Sequence, residues 1–190
     1  MKNFPQLSAI LILSVISTTP AHSDDWSGHL SGFLGNKQIK QKGWANDDVH
    51  GSIGLVSDFK HKDWPVSIAA DLFATGNEEN INNQDINTYS AQAHLGVRKV
   101  FDFPECRIHP YIGAGATFMQ VIQEDKTGSK TVKQEKNDIG SWVGAGSYIN
   151  ITETITAGID IRYLNSSVKF NDEKIDFSGV MTGLTVGYQW

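Results

Sequence analysis

The sequence predicts an all-β chain: an eight-stranded antiparallel up-and-down transmembrane β-barrel, with long extracellular loops and short periplasmic turns. Three observations lead there. Stretches of about ten residues recur in which side chains alternate between two faces, as on a strand and unlike a helix. Long polar connections alternate strictly with short ones. Aromatic residues collect at the ends of the stretches rather than at their centres.

The opening residues, MKNFPQLSAILILSVISTTPAHS, have the form of an export signal: Lys2, an apolar run from Leu7 to Ile16, and a small-x-small site at Ala21-His22-Ser23. That run is too short for a spanning helix, which needs roughly 20 residues. Residues 1–23 are therefore expected to be cleaved, leaving 24–190 as one barrel domain. Lys2 is the only charge removed, so the net charge of −5 becomes about −6. An acidic exported protein is a poor partner for nucleic acid. The single cysteine, Cys106, has no internal disulfide partner and no second thiol to complete a metal site. No cofactor is expected.

The eight segments run Trp26–Leu34, Val49–Phe59, Val66–Ala74, Thr88–Phe101, His109–Gln123, Ile139–Ile151, Thr156–Leu164 and Phe177–Trp190. In the second, Val49, Gly51, Ile53, Leu55 and Phe59 oppose His50, Ser52 and Asp58. In the third, Val66, Ile68, Ala70 and Leu72 oppose Ser67, Ala69 and Asp71. The fourth sets Tyr89, Ala91, Ala93, Leu95 and Val97 against Ser90, Gln92, His94 and Arg98. The fifth and sixth carry YIGAGA and WVGAGS, with little bulk on one face. The sixth leaves its facing open, because Trp142 and Tyr148 lie opposite Val143 and Ile149. The seventh sets Ala157, Ile159, Ile161 and Tyr163 against Gly158, Asp160 and Arg162. The eighth has Val180, Thr182, Leu184, Val186, Tyr188 and Trp190 on one face, with Met181, Gly183, Thr185, Gly187 and Gln189 on the other.

Between the segments, GNKQIKQKGWANDD, TGNEENINNQDIN, EDKTGSKTVKQEKND and NSSVKFNDEKID are long and polar, whereas KHKDWP, DFPECR and TET are short. Long loops on one side and tight turns on the other are the pattern of an outer-membrane barrel. Trp26, Phe59, Trp64, Phe101, Tyr148, Tyr188 and Trp190 are expected at the periplasmic interface, and Phe73, Tyr89, Phe118, Trp142, Tyr163 and Phe177 at the outer one. The competing architecture is a soluble lipocalin-like barrel with its apolar face inward. The small and charged residues of the second face suit a packed polar lumen better.

The stretches KDWPVSIAADLF, LGVRKVF, HPYIGAGATF, AGIDIRY and the closing GLTVGYQW resemble the outer-membrane β-barrel domain proteins of Gram-negative bacteria, in the manner of small OmpA-like and OmpX-like barrels. The resemblance spans the mature chain. It implies residence in the outer membrane among lipid and lipopolysaccharide, as a monomer. It also implies that the last strand, through Val186, Tyr188 and Trp190, is read by the barrel-assembly machinery.

The inward face carries Asp58, Asp71, His94, Arg98, Asp160 and Arg162. Charge inside a barrel is costly unless paired, so Asp71, Arg98, Asp160 and Arg162 are expected to form a lumen charge network, with Asp160 and Arg162 each reaching Arg98 or Asp71. The role this supports is structural or surface-interacting, in envelope integrity or adhesion, without catalysis. A lipid A-modifying enzyme would need a serine activated by a histidine. Ser166 and Ser167 have none beside them in sequence, and His50 alone lies near an extracellular end. An OmpW-like pore for small hydrophobic molecules would need an apolar lumen, against which the charges count. The third long loop carries Lys126, Lys130, Lys133 and Lys136 among Glu124, Asp125, Glu135 and Asp138, a surface suited to lipopolysaccharide phosphates or another surface ligand.

Overall fold

The computed structural model describes residues 25–39, 49–81, 84–103, 106–127, 130–170 and 173–190. The expected export signal, residues 1–23, lies outside them. The strands are β1 (Trp26–Ile39), β2 (Val49–His61), β3 (Ser67–Ile81), β4 (Gln84–Val100), β5 (Ile108–Thr127), β6 (Lys130–Asn150), β7 (Ile155–Asn165), β8 (Ser167–Phe170), β9 (Glu173–Asp176) and β10 (Gly179–Gln189). Eight of them close a barrel in the order β1-β10-β7-β6-β5-β4-β3-β2, every neighbour antiparallel, while β8 and β9 form a separate hairpin.

Closure runs between β1 and β10, from His29 opposite Gln189 to Ile39 opposite Gly179. Beyond that register, Gly28 and Trp190 exchange backbone hydrogen bonds of 3.1 and 3.0 Å. A side chain at Gly28 would collide with the Trp190 indole, so glycine is needed where the ring crosses the seam. With no open edge around the ring, the barrel resists denaturant as one unit. Unboiled protein is therefore expected to migrate differently from boiled protein on a denaturing gel. Equal mobility, with recovery in the soluble periplasmic fraction, would restore the lipocalin-like alternative.

The outer wall is apolar and exposed: Leu34, Ile53, Leu72, Leu95, Ile112, Val143, Ile159 and Leu184 are among its residues. Such a continuous band has no place in water and matches hydrocarbon. Trp26, Phe59, Trp64, Phe101, Tyr188 and Trp190 are exposed near the short-turn end, with Phe118 and Tyr163 nearer the other.

Four aromatics assigned to the girdles by sequence belong instead to the interior. Phe73, Trp142, Tyr148 and Phe177 are all buried. This resolves β6: Trp142 and Tyr148 face inward, while Val143 and Ile149 face out. An eight-stranded interior must be filled by side chains, and its glycines decide where rings fit. A methyl on Gly183 or Gly35 would collide with Phe33, one on Gly54 with Phe73, and one on Gly146 with Tyr111. Apart from Gly35, which shares β1 with Phe33, these glycines make room for rings from a neighbouring strand.

The long connections also differ from expectation. β3 and β4 stay paired out to Ile81 opposite Gln84, and β5 and β6 out to Thr127 opposite Lys130. The last connection contains the β8–β9 hairpin. Polar residues outside the bilayer continue the ladder because pairing satisfies their backbone groups, and no apolar face is needed there. Without such a face, these stretches have the sequence character of loops. At the other end, in the connection between β6 and β7, Ile151 N donates to Ile155 O at 2.9 Å.

Candidate functional site

The inward positions of six strands meet in a charged layer across the lumen. Arg98 of β4 donates from Nη1 to Asp58 Oδ2 at 2.8 Å and from Nη2 to Asp71 Oδ2 at 3.0 Å. Arg162 of β7 donates from Nη1 to the same Asp71 oxygen at 2.9 Å. It also grips Asp160 with Nε at 2.7 Å and Nη2 at 2.6 Å. Asp71 is thus the bridge between two guanidinium groups. Charge-assisted and bidentate bonds of this kind are the strong ones.

Tyrosines complete the layer. Tyr111 donates to Asp160 Oδ2 at 2.5 Å, and Arg98 donates to the Tyr148 hydroxyl oxygen at 3.2 Å. The two phenol rings stack at 4.6 Å, Arg98 lies 5.0 Å over Tyr111, and His29 packs 4.1 Å from Tyr148. Arg162 lies 4.5 Å over Phe73 and 5.3 Å over Trp142. Arg98, Asp71, Asp160 and Arg162 are at most 1% exposed, so almost none of the layer is open to water.

The backbone yields to this layer at one place. The β2–β3 pairing stops at Leu55 opposite Leu72 and resumes at Asp58 opposite Ala69. In the gap, Ser57 N donates to Asp71 Oδ1 at 2.9 Å, so a carboxylate takes a hydrogen that a ladder carbonyl would otherwise receive.

The structure brings together Asp71, Arg98, Asp160 and Arg162, the residues singled out by sequence, with one difference in pairing. Among the described residues, Asp160 bonds to Arg162 and Tyr111 and makes no ion pair with Arg98; Asp58 takes that place. Register decides this: Asp160 and Arg162 share a strand face, whereas Arg98 arrives from across the barrel. Sequence reasoning missed Tyr111, Tyr148 and Ser57. Tyr111 stood in a segment read for its glycines, Tyr148 was assigned to the membrane interface, and Ser57 acts through its backbone.

Toward the hairpin end the lumen changes character. Phe33, Phe73, Trp142, Leu164 and Met181 form a buried apolar cluster, and Met119, Val121 and Phe177 form another, with Ile39 packed against it. The expectation of a packed polar lumen holds for one charged layer and is corrected elsewhere, where apolar side chains form two buried clusters. A polar chain links them along one wall, from Ser52 to Thr75 at 3.3 Å, Gln92 to Thr75 at 3.4 Å, and His94 to Gln92 at 3.4 Å. His94 Nδ1 also meets Arg162 Nη1 at 3.1 Å.

Ser166, weighed as a nucleophile, donates to Asp138 Oδ2 at 2.6 Å, and Ser167 N donates to the same oxygen at 2.8 Å. These bonds fasten the base of the β8–β9 hairpin. Among the described residues no histidine bonds to either serine; buried His50 lies opposite Lys37 in the β1–β2 register. Cys106 is exposed in a turn. Val186, Tyr188 and Trp190 lie on the exposed outer face of β10, with Tyr188 and Trp190 stacked at 6.1 Å. Glu135 and Lys136 are exposed on β6, while the side chains of Glu124, Asp125, Lys126, Lys130 and Lys133 lie outside the described part.

Comparison with known proteins agrees with this architecture. The family described as outer membrane protein beta-barrel domain matches residues 8–189. No curated protein sequence matches significantly. Among solved structures, the Neisserial surface protein A is similar at 16% identity, covering 86% of this chain and 95% of that one, with a TM-score of 0.56. The attachment invasion locus protein Ail of Yersinia pestis, solved with the heparin analogue sucrose octasulfate, is similar at 15% identity, covering 87% and 99%, with a TM-score of 0.59. The N-terminal barrel domain of Pseudomonas aeruginosa OprF follows at 17% identity, covering 86% and 97%, with a TM-score of 0.51.

Proposed function

The chain belongs to the outer membrane protein beta-barrel domain family, and from that premise we propose that it serves the envelope as a monomeric structural and surface-interacting barrel without catalysis. Its place is the cell outer membrane. In this reading residues 1–23 direct export and are cleaved, and the barrel-assembly machinery inserts the chain by reading Val186, Tyr188 and Trp190. The short turns face the periplasm and the hairpins face outward among lipopolysaccharide.

The observation that carries the reading is the filled lumen. Arg98 and Arg162, each at most 1% exposed, are tied to three carboxylates in a packed layer across the lumen, which supports a barrel that does not conduct. What the protein offers to partners is then its outer end. There β6 runs on from Gly140 to Lys130, past its last β7 pair at Ser141 and Asn165; β8 packs beside its base through Asp138, and among the described residues its ladder partner is β5 alone. A strand edge of that kind can receive another chain. The lysines of this hairpin, Lys126, Lys130, Lys133 and Lys136, suit phosphate or sulfate groups on a surface glycan or lipopolysaccharide. Ail, a fold neighbour, was captured with a polysulfated ligand.

The apolar clusters favour a second reading, an OmpW-like pore for small hydrophobic molecules, but the ion-pair layer stands across its axis. The two readings separate by experiment. A deletion strain is expected to gain sensitivity to detergent and lose adhesion to anionic glycan surfaces. Full-length protein should restore both, while a variant lacking residues 124–136, which keeps Asp138, should restore detergent resistance alone. Adhesion restored equally by both forms, or stepwise conductance of the purified barrel in planar bilayers, would overturn the surface reading.

A further inference from the structure

We propose that the β2–β3 seam is a hinge in the barrel wall, which opens locally at Ser57 and Ala70 and is held shut from inside by Asp71 of the charged layer. The proposal is independent of the surface role. Among the described residues, every other seam of the ring is a continuous ladder. Between β2 and β3 the ladder breaks after Leu55 opposite Leu72 and restarts at Asp58 opposite Ala69. Val56 and Ser57 on one strand face Ala70 and Asp71 on the other across the break, so the register is unchanged and no residue is inserted. A β-bulge, which sets two residues against one, does not account for it. Within a bilayer, no water takes over a backbone group that the ladder releases.

Two side chains stand in for the missing ladder bonds. Ser57 N donates to Asp71 Oδ1 at 2.9 Å, and Ser57 Oγ donates to the Ala70 carbonyl. Asp71 does not serve the wall alone. Its Oδ1 also accepts from Arg98 Nη2 at 3.3 Å, and its Oδ2 accepts from Arg98 at 3.0 Å and from Arg162 at 2.9 Å. One carboxylate thus closes the wall and joins two guanidinium groups brought from β4 and β7. Burial along β2 records the distortion: Val56, Ser57 and Asp58 are buried in succession, where a regular strand alternates. In the unbroken seams, backbone pairing fixes the hydrogen bonds by itself. Here they last only while the guanidinium groups hold Asp71 in place, which puts this seam at the low end of local stability. A change among the lumen ion pairs therefore reaches the wall through a single side chain.

The test is amide hydrogen exchange, followed residue by residue by NMR on the folded full-length protein in zwitterionic micelles. In the unaltered protein the Ser57 and Ala70 amides are expected to exchange at least about tenfold faster than the slowest amides of the unbroken β4–β5 seam. Asp71→Asn keeps an acceptor for Ser57 N but gives up the charge that the guanidinium groups hold, and should speed both amides by about tenfold more while leaving β4–β5 unchanged. The control is Asp160→Asn, which takes a carboxylate from the same layer but one bonded to Arg162 and Tyr111 rather than to the wall. It should leave the seam no faster relative to β4–β5. Retained heat-dependent mobility shows that Asp71→Asn is folded; if it is not, Ser57→Ala, which removes only the hydroxyl on the Ala70 carbonyl, is read by the Ala70 amide under the same criterion. Ser57 and Ala70 amides as protected as those of β4–β5, or an equal effect of Asp160→Asn on the seam, overturns the proposal.

Discussion

Replacing Arg162 with methionine is expected to destabilise the folded barrel by about 3–5 kcal/mol, the cost of stripping the partner from a buried charge. Arg162 satisfies two carboxylates at once, Asp71 and Asp160, and neither has water to replace it. Methionine fills the volume beside Phe73 and Trp142, so the loss reports on charge rather than on a cavity. The partner substitution identifies the cause. In Arg162→Met with Asp160→Leu, the stranded carboxylate is gone along with the cation, and the double variant should lose much less than the sum of the singles. Coupling of about 0.5–3 kcal/mol is the range for contacting residues. Reversible urea unfolding in lipid vesicles measures all four proteins. Additive losses would mean that Arg162 and Asp160, although 2.6 Å apart, do not act as a unit.

The second large effect lies on the opposite face of the wall. Leu184 is 65% exposed in the middle of β10, between Leu34 and Ile159 on the neighbouring strands. An arginine there would sit at mid-membrane and is expected to cost about 2–4 kcal/mol. The comparison is Gln189→Arg, on the inward face at the short-turn end, where Gln189 Nε2 already donates to the Glu153 carbonyl at 3.0 Å. A long cation at that mouth can reach water. Folded yield into vesicles should drop sharply for Leu184→Arg and little for Gln189→Arg. Near-equal yields would show that this wall is not facing lipid.

Much of the molecule was legible in the chain because it follows from a period of two. Alternation around Asp71, Arg98, Asp160 and Arg162 places each of them on the face opposite the Ile, Leu and Val residues, and one face of a barrel strand must go inside. The rhythm of connections set the strand number, because each short polar break had to be a turn. What stayed hidden was anything decided by more than one strand. Trp142 and Val143 are equally good lipid anchors by type, and the choice between them rests on the room left by Gly113 on the neighbouring strand, where an added methyl would approach the Trp142 ring to 2.9 Å. The same limit explains Lys37, which looks in sequence like one lysine of a polar loop and in three dimensions is a buried cation on an extended β1.

By itself, then, the sequence determined an all-β chain, eight spanning segments, a lipid-compatible face on each, and a set of charges with nowhere to go but inward. These are local properties, carried by the pleat and by the cost of burying charge. The tertiary structure alone decided which carboxylate meets which guanidinium, which aromatics fill the lumen, and how far the hairpins extend as paired strands. Those outcomes depend on register and on contacts across the barrel, between residues as far apart in the chain as Asp71 and Arg162. Period-two alternation holds no information about which residues meet across the lumen; closing the ring supplies it.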